Sequence, residues 1–128
     1  MDQKIKYWIE LSDYDFETAL AMLKSKRYLY VGFMCHQTIE KIFKAYFTKI
    51  TSETPPFKHS LSYLAKTGTF FDSFSEEQKN FIDQIEPLNI EARYPIYKER
   101  LLKSLNESKC QEIIQLTKEL QEWIKKKL

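Results

Sequence analysis

His36 and Glu40 stand one helical turn apart, and Glu40 and Lys44 repeat the spacing. A histidine and a glutamate at that spacing share a helix face and can form half of a metal site. Nothing in the spacing of the chain supplies the other ligands, so no metal and no cofactor is expected. Glutamate before lysine at this interval is the favourable order, worth a few tenths of a kcal/mol on a surface. Buried, the carboxylate would need a cation, and Arg93 is the strongest candidate from elsewhere in the chain. A Glu40–Arg93 bridge is the expectation. His59 follows a proline-rich loop and precedes Ser60-Leu61. It either caps a helix and tethers the loop, or faces a nucleotide or RNA. Arg93, Lys98, Arg100 and Lys103, with Tyr94 and Tyr97 between them, form the best phosphate-and-base footprint. Glu91 and Glu99 dilute it.

The element that must position the first group runs from Gly32 to Phe47. Val31, Met34, Cys35, Thr38, Ile39, Ile42, Ala45 and Tyr46 recur every three to four residues, the mark of one apolar helix face. The other face carries Phe33, His36, Gln37, Glu40, Lys44 and Phe47. Phenylalanines bracketing polar residues do not suit a solvated face. This helix is expected to be central and packed on both sides, with Phe33, Gln37, Glu40 and Lys41 facing a partner subunit, a ligand or a buried network.

Around it the pattern predicts an up-and-down bundle of four main helices plus one short helix, all-α and a single domain over 1–128. The first helix spans 2–26, capped by Asp2, with Ile5, Trp8, Ile9, Ser12, Phe16, Ala19, Leu20 and Leu23 inward. The loop Thr51-Ser52-Glu53-Thr54-Pro55-Pro56 cannot continue a helix. A short helix, Leu61 to Lys66, follows and is closed by Gly68. Phe70, Phe71 and Phe74 are expected to cover the bundle end. Ser75 with Gln78 reads as a capping box for the fourth helix, and Ser104 with Glu107 as another for the last. Pro95 pushes Tyr94 out of helical geometry.

The 128 residues carry 30% charged side chains and a net charge of +2, too balanced to mark nucleic-acid binding. Glycines stand only at 32 and 68. That excludes a glycine-rich phosphate loop or a dinucleotide fold. No Ser-His-Asp set can be placed. Cys35 and Cys110 lie on apolar faces and read as buried thiols in a reducing compartment. No apolar run spans a membrane and no signal peptide is seen, so a cytoplasmic location is expected.

Phe33, His36-Gln37, Glu40-Lys41 and Lys44-Ala45, then the proline-rich loop, His59-Ser60-Leu61 and Arg93-Tyr94-Pro95, resemble a HEPN domain over about residues 3 to 127. The resemblance implies a homodimer and often a separately encoded minimal nucleotidyltransferase partner, including toxin–antitoxin pairs. Read from the residues themselves, Lys44, His59, Arg93, Tyr94, Tyr97 and Lys98 are the candidate ligand contacts. Many HEPN domains are metal-independent ribonucleases. They carry an Arg, four to six residues and a His, and pairs from two subunits line a cleft. Arg93 matches the Arg. The His positions hold Lys98, Glu99 and Arg100, and no histidine follows His59. The expectation is a non-catalytic nucleotide- or RNA-binding module. The alternative is a ribonuclease toxin in which Tyr97 or Lys98 replaces the histidine.

Overall fold

The computed structural model describes residues 2–91 and 94–128, with the side chains at 90, 91 and 95–98 left aside. Seven helices follow one another: α1 (Gln3–Lys24), α2 (Tyr28–Thr51), α3 (Leu61–Thr67), α4 (Glu76–Ile85), α5 (Leu88–Glu91), α6 (Pro95–Ser104) and α7 (Glu107–Lys125). A 3-10 turn, Phe71–Ser73, joins α3 to α4. No strand occurs among the described residues.

α2 is the axis, touching every other helix, with α1 and α7 as its principal neighbours. The apolar face read from the sequence is buried at Val31, Cys35, Thr38, Ile39, Ile42 and Ala45. Met34 and Tyr46 are only half-buried. Gly32 permits close packing: a Cβ there would lie 3.0 Å from Leu88 and 3.3 Å from Leu105.

Local chemistry sets most boundaries. Asp2 accepts from the Lys4 N–H at 2.6 Å and starts α1, which ends at Lys24 rather than 26. Ser75 and Gln78 form the expected capping box on α4. Leu20, counted inward, is 44% exposed.

Two expectations need correcting. The bundle has two more helices than foreseen, α5 and α6. α6 starts at Pro95, whose fixed φ and missing N–H suit a first turn. Tyr94 before it is extended, as anticipated. The cap of α7 is Asn106, accepting from the Lys109 N–H at 2.8 Å, because Ser104 closes α6 and donates to the Leu101 carbonyl.

Gly68 closes α3, as expected. It caps α3 at φ −80°, not in left-handed geometry; Thr69, at φ 65°, makes that turn. Glycine is needed for space: a Cβ at 68 would lie 2.6 Å from the Phe70 ring and 2.8 Å from that of Phe47. Both rings are buried and have little room to yield. Gly68→Ala is expected to lower stability by about 1–3 kcal/mol, read from a urea midpoint.

Candidate functional site

The carboxylate of Glu40 organises the corner where α2 meets the 52–60 loop. Glu40 is 1% exposed. Lys44, one turn on, places Nζ 3.3 Å from Oε2. His59 arrives from the loop with Nδ1 at 3.1 Å from Oε1 and 3.3 Å from Oε2. His36 stands one turn before, its Nδ1 3.8 Å from Oε1, beyond hydrogen-bond reach. That nitrogen is buried without a hydrogen-bond partner among the described residues. Among the described residues, the partners of Glu40 are therefore Lys44 and His59. Arg93, expected in that role, lies outside the described residues.

Lys44 is buried, and its ammonium sits 5.3 Å from the Trp8 ring and 5.9 Å from that of Phe57. Two aromatic faces and one carboxylate make burial of the cation tolerable. The ammonium is thus held internally. His59 differs: its side chain is 47% exposed. With Nδ1 facing a carboxylate, which can only accept, that nitrogen is the donor of the pair.

A second carboxylate fixes the same loop. Glu86, the residue closing α4, accepts from Ser60 Oγ at 2.7 Å and from the Leu61 N–H at 2.9 Å. Ser62 adds its N–H at 3.4 Å and its Oγ at 3.3 Å. Ser60 itself caps α3, accepting from the Tyr63 N–H at 3.2 Å. His59 is not the cap; it ties the loop to the bundle through Glu40. Glu86 escaped the sequence reading because nothing in its spacing relates it to residues some 25 positions earlier.

Burial pushes the His36 imidazole below its ordinary 6.5, against the pull of Glu40 and Glu86. The folded state therefore prefers neutral His36, and the unfolded chain binds the extra proton. Stability is whole above pH 6.5 and falls as the pH drops below it, by at most about 1.4 kcal/mol per pH unit for one proton. Urea midpoints between pH 7.5 and 5 should fall more steeply in the wild type than in His36→Gln.

Farther along the polar stripe Lys41 is also engaged within the chain, whereas Gln37 Oε1 is buried without a hydrogen-bond partner among the described residues. Lys41 reaches Asp15 on α1 at 3.3 Å. Burial raises the Asp15 carboxyl and Lys41 opposes that rise. Phe33 and Gln37 are half-buried. Across the bundle, Ser12 donates to the Thr38 carbonyl at 2.8 Å and accepts from Gln121 at 3.0 Å. Of the options left open for this face, a buried network is what the described residues form around Glu40 and Lys44.

Tyr94 is 54% exposed at the entrance to α6. Tyr97 and Lys98 lie on α6, with side chains outside the described set, as is Arg93 entirely. The structure thus brings Lys44 and His59 together and leaves the Arg93 half of the expected site undescribed. The absence of a second histidine near His36 was an argument against a metal; the fold does bring His59 to the same carboxylate. Even so, no three His, Cys, Asp or Glu side chains among the described residues are arranged to hold a metal ion. Cys35 and Cys110 are buried free thiols, pushed up to about 12 and about 11 by burial. They are poor nucleophiles. No described helix is long and apolar enough to cross a membrane.

No curated protein matches the sequence. The crystal structure of TT1696 from Thermus thermophilus resembles the fold with a TM-score of 0.84 over 99% of this chain and 100% of that one, at 16% identity. At that identity the likeness concerns the fold alone. The model of the HEPN domain matches residues 5–128, nearly the whole sequence. The chain belongs to the HEPN domain family.

Proposed function

We propose that this HEPN chain is a non-catalytic nucleotide- or RNA-binding module. In this reading it works in the cytoplasm as a homodimer and partners a separately encoded minimal nucleotidyltransferase in a toxin–antitoxin-like pair. The observation that carries the reading is where its imidazoles stand. Both histidines flank Glu40, at the α2–α3 corner. The positions five to seven residues beyond Arg93 hold lysine, glutamate and arginine. A nuclease needs a group that transfers protons near neutral pH beside its cation. Lysine and arginine hold phosphate but transfer protons poorly there. His59, Arg93, Tyr94, Tyr97 and Lys98 are the proposed ligand contacts. Lys44 acts through Glu40, holding the carboxylate that orients His59.

The test is single-stranded RNA incubated with the purified protein in EDTA. Intact RNA that nonetheless shifts in fluorescence anisotropy is expected. Thermal shift with ATP or GTP covers the nucleotide form: ligand at a hundred times Kd adds about 2.7 kcal/mol. Cleavage by the wild type that is lost in Arg93→Ala would overturn the reading. One observation favours the alternative of a diverged ribonuclease: the half-exposed His59 has its Nδ1 on a buried carboxylate, an arrangement that suits a general base. Cleavage lost in His59→Ala would establish that alternative.

A further inference from the structure

A groove of about 250 Å³ lies between α4, which leans on α2 and α5, and α7. Its floor is apolar: Phe81 and Leu120 are buried, and Leu116 and Trp123 are half-buried. Its walls are acidic. Glu77 on α4 and Glu119 on α7 are exposed, and no lysine or arginine lines the groove among the described residues. The carboxylates around it are answered within the chain: Glu76 by Lys79 at 3.8 Å, Glu112 by Lys109 at 3.4 Å and Glu122 by Lys118 at 3.4 Å. Glu119 receives only the Gln115 amide, at 3.1 Å, and neither it nor Glu77 meets a cation among the described residues. The chain does seat one cation of its own at this end of α7, Lys127 Nζ at 4.3 Å from the Trp123 ring.

We infer that the α4–α7 groove is a docking site for a cationic amphipathic helix of another protein. One apolar side chain of that helix enters the groove, and a lysine or arginine on either side of it meets Glu77 and Glu119. The sign of the walls selects the occupant. A nucleic acid, a lipid headgroup or an acidic peptide would meet two uncompensated negative charges. The length of the walls selects a helix. The lining residues run from Ser75 to Phe81 on one side and from Leu116 to Trp123 on the other, about two helical turns or roughly 10 Å each. A partner helix lying along two turns presents positions i, i+4 and i+7 or i+8 to such a groove, room for a cation, an anchor and a cation. The volume suits one anchor, since an apolar cavity of about 150 Å³ already holds a benzene ring. This surface is separate from the His59 corner, and the inference does not depend on the nucleotide or RNA reading.

The probe is a fluorescein-labelled, alanine-based helical peptide with one leucine anchor and an arginine one turn to either side; a second peptide carries glutamates instead. Anisotropy titrations use the wild type, Glu77→Gln with Glu119→Gln, and Glu77→Lys with Glu119→Lys, each checked by circular dichroism. Both side chains are exposed and hold no part of the α4 capping box, so the helical signal should be unchanged. Expected is binding of the arginine peptide by the wild type, about tenfold weaker in the glutamine variant, the product of two exposed ion pairs. The lysine variant should prefer the glutamate peptide, an inversion that unspecific apolar adhesion would not produce. ¹H–¹⁵N spectra of the wild type should show the arginine peptide moving Leu116, Leu120 and Trp123. No binding of the arginine peptide, equal binding of both peptides, or shifts confined to another face would overturn the site. Displacement of the peptide by a second copy of the chain or by single-stranded RNA would overturn the assigned occupant.

Discussion

Replacing Glu40 by glutamine is expected to lower the unfolding free energy by about 3–5 kcal/mol, the usual effect of breaking a buried ion pair from one side. Glutamine keeps the shape but removes the charge. Lys44, whose side chain is 8% exposed, is then a buried cation without its anion. His59 loses the ionised acceptor that holds its loop. A small domain has about 5–15 kcal/mol in total, so the variant should stand near the edge of folding at room temperature. Urea denaturation would show a lower midpoint at unchanged slope. Glu40→Leu combined with Lys44→Met should recover most of the loss, because neither charge remains to be desolvated. A single-variant loss under about 1 kcal/mol would show that Glu40 is not the hub.

Truncating Phe43 to alanine should cost about 3–5 kcal/mol as well, for a different reason. Phe43 is fully buried. Its ring meets Phe70 edge-on at 5.4 Å and stacks on Phe74 at 5.5 Å. Phe74 in turn lies 5.5 Å from Trp123 on α7. The cavity would open where α2, the aromatic turn and α7 join, and two aromatic contacts of about 0.5–1.5 kcal/mol each would go with it. Trp123 fluorescence reports the same place and should shift before global unfolding. Phe57→Ala is the natural control, since an exposed ring contributes within about 0.5 kcal/mol to the single chain. A Phe43→Ala loss no larger than that of Phe57→Ala would contradict this view of the core.

The two variants separate what the sequence made legible from what it hid. Helix α2 could be read because its apolar residues recur at helical spacing and its far face is too aromatic for water. The aromatic bundle end was legible for a similar reason: Phe70 and Phe74 have nowhere else to go, and both are buried. α6 was obscured because proline weakens a helix interior but favours a first turn, and composition alone does not say which position it holds. Gly68 was read correctly as the close of α3, but not the reason glycine stands there. A glycine after a helix suggests a left-handed cap, whereas here two phenylalanine rings demand the missing Cβ.

The site was half legible. Glu40 and Lys44 were singled out as a pair by their spacing; His59 was singled out as well, but its pairing with Glu40 was not. Among the described residues Glu40 meets a lysine one turn along its own helix and a histidine across the loop; the expected Glu40–Arg93 bridge lies outside them. Glu86 and Asp15 carry no local signal at all. Each matters only because the chain folds back on itself, and contacts 24–26 residues apart leave no periodic trace.

The candidate site depends on His59 facing a carboxylate. Long-range ¹H–¹⁵N NMR of the two imidazoles tests this most directly. It should find a hydrogen on Nδ1 of His59, and that resonance should move when Glu40 becomes glutamine. A bare Nδ1 on His59, with a spectrum indifferent to Glu40→Gln, would contradict it.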